Sequence, residues 1–117
     1  MEANEIAILK ATKKVHLTSK KAKLILKNYD TVKNEIQYIS SYFQINEIQS
    51  VLLANFISLS SFDVIELKEL IDYLVIKKIE LLPYLNDIQY LIDKNILDKV
   101  TNKNLLREDY CVKKSCF

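Results

Sequence analysis

Val32, Ile36, Ile39 and Phe43 follow one another at intervals of four, three and four, the trace that the buried face of an amphipathic helix leaves in a sequence. Asp30 stands just ahead of this stripe and is the expected N-cap. Upstream, Ala3 to about Leu17 reads as a helix with Ile6 and Leu9 apolar, and Thr18 or Ser19 is placed to cap a second short helix ending near Asn28. Downstream, Asn46 and Gln49 have the spacing of a capping box. Ile48, Val51, Leu52, Leu53, Ala54, Phe56 and Ile57 make the helix that follows apolar nearly all round, which predicts a central core helix ending at Ser58 to Ser61.

Phe62 to Ile65 carries strand-like residues, and Leu67, Leu70, Ile71 and Leu74 then restore helical spacing. Val75 to Lys78 has the length of a helix-turn-helix connection, without the usual glycine. The second helix is expected from near Glu80 to about Asn95, with Pro83 tolerated in its first turn because an N–H there has no partner. Leu81, Leu85, Ile88 and Ile92 would face inward at intervals of four, three and four, leaving Glu80, Pro83, Asn86, Asp87, Tyr90, Asp93 and Lys94 outside. Ile96 to Val100 and Leu105 to Val112 read as two strands around Thr101, Asn102, Lys103 and Asn104, where asparagine supplies the positive φ of a turn. The expected fold class is mainly α: a winged helix-turn-helix-like domain with two or three extra N-terminal helices and a short β-hairpin wing. A single domain over 1–117 is expected, with a helical N-terminal extension at 1–44 and a winged-helix-like unit at 46–112.

Composition removes much chemistry. With 117 residues, half of them hydrophobic, the chain has material for one core. It has no glycine, where average usage would give roughly eight. Phosphate-cradling G-x-x-x-x-G-K loops, G-x-G-x-x-G turns and G-x-S-x-G elbows are therefore excluded, since each needs backbone positions that only glycine tolerates. Cys111 and Cys116 are the only cysteines and His16 is the only histidine, far from them in sequence, so no four-ligand zinc set forms and no metal or cofactor is expected. No secretory h-region and no apolar run of membrane-spanning length is present, so a reducing cytoplasmic setting without membrane contact is expected. The apolar pair Cys116 and Phe117 at the end suggests a fragment of a longer polypeptide.

Charge is uneven although the net is only +2. Seven lysines and no carboxylate lie between Ile6 and Tyr29, including Lys13, Lys14, Lys20 and Lys21, whereas thirteen acids face ten bases from Asp30 onward. The exposed face of the second helix would hold Glu80, Asp87 and Asp93 against Lys94, which presses carboxylates toward phosphate if it lies in a major groove. Nucleic-acid contact is left to Lys77, Lys78, Lys103 and Arg107 with the lysine-rich head, which lacks interleaved aromatics for stacking on single strands. Tyr84, Asp87, Tyr90 and Asp93 are the expected protein-contact residues, tyrosine being enriched at interfaces. Catalysis is not expected, because His16 has no nucleophile near it in sequence and the acidic pairs Glu66 with Glu69 and Asp93 with Asp98 have the look of surface charge.

The stretch from Asn46 to Tyr110, with its leucine-rich leading helix, the "FDVIEL" start of the next, the "LLPYLNDIQYLIDKN" second helix and the hairpin after it, resembles the small winged-helix-like domain ahead of the ATPase module in some bacterial AAA family proteins. The resemblance covers rather more than half of the chain. It implies a non-catalytic accessory module that contacts substrate, partner subunits or nucleic acid, while a C-terminal portion hydrolyses ATP. No Walker motif is present, so no ATP-handling residue carries over. Three readings follow: a protein-contact adaptor joined to its own polypeptide or a separate protein, a winged-helix DNA-binding regulator or DNA-processing factor, and a stand-alone oligomerising helical protein using the Tyr38 and Tyr42 face.

Overall fold

The computed structural model describes residues 3–60, 65–100 and 109–112. The chain is mainly helical. Helix α1 runs Ala3–Ala22, a 3₁₀ segment Leu26–Val32, α2 Lys33–Phe43 and α3 Glu47–Ser60. Strand β1 is Ile65–Glu66, followed by α4 Leu67–Leu74, α5 Lys78–Leu81, a second 3₁₀ segment Leu82–Tyr84 and α6 Leu85–Asp93. Strands β2, Leu97–Val100, and β3, Asp109–Val112, follow. β3 lies between the other two and is antiparallel to both, with Ile65 opposite Tyr110 and Leu97 opposite Val112. The strand-like residues expected at Phe62 to Val64 and the turn expected at Thr101 to Asn104 lie outside the described residues.

Helix α1 is unbroken where a new cap is expected. Thr18 and Ser19 lie inside it, their hydroxyls donating back to the carbonyl oxygens of Lys14 and Val15, four residues earlier, as they do within a continuing helix. The helix stops at Lys23, whose φ of 55° is left-handed and whose N–H closes on the Ser19 carbonyl. Asp30 does not cap α2 either. It lies within the first 3₁₀ segment, its backbone carbonyl accepts the Lys33 N–H, and α2 begins after Val32 without a side-chain cap. The expected stripe is buried nonetheless, with Val32, Ile36, Ile39 and Phe43 all in the core.

Helix α3 is the centre. Its capping box forms as spaced: the Gln49 N–H donates to Asn46 Oδ1 at 2.8 Å and the Asn46 N–H to Gln49 Oε1 at 3.1 Å. Val51, Leu52, Leu53, Ala54 and Phe56 have no exposed surface, and α1, α2, α4, α6, β1 and β3 pack against this helix. Each large side chain so buried contributes about 1.5–3 kcal/mol. Because Ile8, Val15 and Tyr29 share this cluster with Leu70, Leu74 and Ile88, the N-terminal helices and the second half of the chain rest on one core.

The second helix of the pair starts earlier than expected and is broken. Lys77 is its N-cap residue, because the Glu80 carboxylate accepts the Lys77 N–H at 2.9 Å and so occupies the third helical position. Pro83 lies past the first turn, where its missing N–H leaves the Ile79 carbonyl without its usual partner. The Leu82 N–H bonds that carbonyl instead, three residues back, and the helix tightens into Leu82–Tyr84 before α6 resumes. This local overwinding turns the inward stripe. Leu81, Ile88 and Leu91 are buried and Tyr84 is partly so, at intervals of three, four and three, whereas Leu85, expected inside, is exposed and Ile92 only half-buried.

Candidate partner-binding face

The rotation leaves an apolar row outside. Ile79 is 68% exposed and Leu82 52%, with Leu85 one turn further on and Tyr90 on the outer side of α6. Residues three apart are neighbours on a helix surface, the more so where the helix tightens at Leu82–Tyr84, so Ile79, Leu82 and Leu85 form an apolar ridge. Val75, four residues ahead of Ile79 in the chain, is also 68% exposed and ends α4 in a left-handed conformation (φ 53°, ψ 50°) while its N–H closes on the carbonyl oxygens of Ile71 and Asp72. A β-branched residue stands at a left-handed position that glycine usually takes.

The four expected contact residues divide. Tyr90 and Asp93 are exposed; the Lys94 ammonium lies 5.7 Å from the Tyr90 ring centre, and Asp93 accepts from Gln89 Nε2 at 2.9 Å. Tyr84 and Asp87 belong instead to the packing of the domain. The Tyr84 ring lies against the core with its hydroxyl 3.4 Å from the Leu24 carbonyl oxygen, and Asp87 Oδ1 accepts from Gln49 Nε2, on the capping residue of α3, at 3.1 Å. Ile79, Leu82 and Leu85 replace them as the outward-facing side chains. Their signal was present in the spacing, since Leu81, Tyr84, Ile88 and Leu91 form as good a helical stripe as Leu81, Leu85, Ile88 and Ile92 and leave those three outside.

Of the expected nucleic-acid contacts, Lys77 and Lys78 are exposed at the start of α5, whereas Lys103 and Arg107 lie outside the described residues. Lys13, Lys14, Lys20 and Lys21 are exposed on α1, where Lys14 faces Glu35 at 3.6 Å. Lys23 is different from its neighbours. Its ammonium donates to the Leu74 carbonyl at 2.7 Å and to that of Val75 at 3.1 Å, which completes the end of α4 and ties the end of α1 to the turn. Tyr84, by reaching Leu24, adds a second tie between the same two regions.

His16 stacks on Tyr73, ring centres 4.2 Å apart, and its Nδ1 lies 2.8 Å from Asn55 Oδ1. Asn55 Nδ2 donates to the Val51 carbonyl and to Ser19 Oγ, which fixes Oδ1 as the acceptor and Nδ1–H as the donor. Ser19, Asn55 and Tyr29 are buried, and the Tyr29 hydroxyl shares its proton between Ser19 Oγ and the Lys23 carbonyl. Burial lowers the His16 pKa against the raising effect of Asn55, and burial above all pushes Tyr29 up to about 12. Ser19 gives its proton to Val15, not to His16, so this arrangement ties α1 to α3 and presents no base to a nucleophile. On α2, Tyr38 and Tyr42 are exposed, and Tyr42 leans edge-on against Phe43 at 4.9 Å.

Among the described residues, no group of three or more His, Cys, Asp or Glu side chains is placed to hold a metal ion, and no helix is long and apolar enough to cross a membrane. No family model, curated protein or solved structure matches the chain.

Proposed function

We propose that this chain is a non-catalytic adaptor domain of winged-helix-like architecture, which docks a protein partner on the outer face of α5 and α6 and serves as the N-terminal part of an AAA family ATPase. The observation that carries the reading is the exposed apolar ridge of Ile79, Leu82 and Leu85 on the helix after the turn. A helix laid against phosphates needs cations there, whereas exposed aliphatic side chains beside a tyrosine suit a partner that covers them. The fold reading is supported by the element order β1, α4, turn, α5–α6, β2, β3 and by β3 lying between β1 and β2.

The test of docking is capture of partners by the full chain compared with Ile79→Asp and Leu82→Asp variants. Both positions are exposed, so unchanged circular dichroism is expected, and loss of a captured protein supports the face. Capture that survives both changes removes it. The ATPase setting is tested separately, by reading the source gene beyond the Phe117 codon: an open frame leading to a G-x-x-x-x-G-K-[ST] loop supports it, and an immediate stop codon refutes it.

A further inference from the structure

Two polar ties bring a second set of apolar side chains to the same end of the molecule. Lys23 reaches the carbonyls of Leu74 and Val75, and Tyr84 reaches the carbonyl of Leu24, so the stretch that follows α1 lies within one side chain's length of both the turn and the head of α6. That stretch exposes Ile25 and Leu26. Among the described residues, eleven large hydrophobic side chains have substantial exposure, and six of them, namely Ile25, Leu26, Val75, Ile79, Leu82 and Leu85, lie in these two segments, so exposure is concentrated here.

The charge beside them is mainly basic, five exposed lysines standing against the exposed carboxylates Asp30, Asp72 and Glu80. Lys20, Lys21 and Lys27 flank the end of α1, and Lys77 and Lys78 start α5; all five are exposed and none forms an ion pair among the described residues. The nearest carboxylate on α5, Glu80, is already turned back onto the Lys77 N–H, and Asp87 and Asp93 lie further along α6. We infer that this end of the domain binds an acidic amphipathic helix, whose apolar side covers the ridge from Ile79 to Leu85 together with Ile25 and Leu26, and whose flanking carboxylates meet the five lysines. This rests on the protein-contact reading above and specifies its partner by chemistry.

A discrete helix fits these observations better than the two other polyanions. A planar anionic bilayer laid over the face would bring headgroups onto Asp93 as well as the lysines, and a DNA duplex offers nothing to cover the aliphatic ridge. An amphipathic helix offers apolar side chains and carboxylates together, as in the recognition of helices by apolar surfaces.

The experiment is fluorescence anisotropy with the full chain and a labelled synthetic helix bearing leucine at every third or fourth position and glutamate on its flanks. Its controls are the same helix with lysine for glutamate, phosphatidylserine vesicles and a labelled DNA duplex. Saturable binding of the glutamate helix, weakened about tenfold or more by Leu82→Asp and by the double variant Lys77→Glu, Lys78→Glu with folding unchanged, is the expected result. Weakening by Ile25→Ser marks the extension of the site beyond α5 and α6. Absence of binding overturns the acidic-helix assignment, as does equal binding of the lysine helix, or preference for vesicles or duplex. If Ile79→Asp still abolishes capture of a protein while the glutamate helix does not bind, only the partner's chemistry is refuted; if capture is also unaffected, both readings fall.

Discussion

Lys23 donates to the Leu74 carbonyl at 2.7 Å across a sequence separation of 51 residues, joining the last turn of α1 to the last turn of α4. A cation at a helix C-terminus is favoured by the helix dipole, and here it also satisfies carbonyls that the helix itself leaves open. Lys23→Ala is expected to cost about 1–2 kcal/mol, at the lower end because the side chain is partly exposed. Urea unfolding checks this: the midpoint should fall while the transition stays single, since both halves of the chain contribute to one core.

The register of α6 makes a sharper prediction. Leu91 has no exposed surface, whereas Leu85 is 38% exposed. Leu91→Ala should therefore destabilise by roughly 2–5 kcal/mol, and Leu85→Ala by less than about 1 kcal/mol, as chemical denaturation of the two variants would show. Equal losses would place both residues on the buried side and remove the ridge.

How much of this was legible in the sequence varies with the source of the signal. The α2 stripe and the Asn46–Gln49 capping box are local patterns, and both are present as spaced. Caps read from single residues fared worse, because Ser19 and Asp30 are good caps only if the helix ends there. Ser19 lies instead in the last turn of an unbroken α1, where Asn55 and Tyr29 engage its hydroxyl from other parts of the chain. On α6 two stripes were equally periodic, and the choice between them depended on how the chain accommodates Pro83, which spacing alone does not state. Tyr84 and Asp87 are half-buried, and the ties to Leu24 and Gln49 that hold them are long-range, which spacing does not show. The reach of Lys23 to the turn leaves no trace in a charge count.

Val75 bears the strain of a turn built without glycine. Non-glycine residues in the left-handed region cost about 1–2 kcal/mol, more for β-branched side chains, and Val75 is largely exposed, so little packing compensates. Val75→Gly should stabilise the domain by about 1 kcal/mol in spite of the added freedom of the unfolded chain. The check is a melting temperature several degrees higher by calorimetry; an unchanged or lower value means that the Val75 side chain has a packing role that its exposure hides.

His16 sets the acid side of the stability profile. Burial holds its folded-state pKa below the ordinary value of 6.5, so in the interval beneath 6.5 the unfolded chain binds more protons than the folded one. The contribution of the neutral imidazole is then fully present above about pH 6.5 and is lost as the pH falls through the folded-state pKa. Nδ1–H still reaches Asn55 when the ring is charged, so the loss comes from placing charge beside Tyr73 and the core, not from a broken hydrogen bond. Replacement by glutamine keeps a donor for Asn55 and removes the titration. Unfolding free energies measured between about pH 7.5 and pH 5.5 should decline for the parent chain and stay flatter for His16→Gln, with carboxylate titration common to both. Parallel curves would mean that His16 titrates alike folded and unfolded, and that its contact with Asn55 offsets the burial.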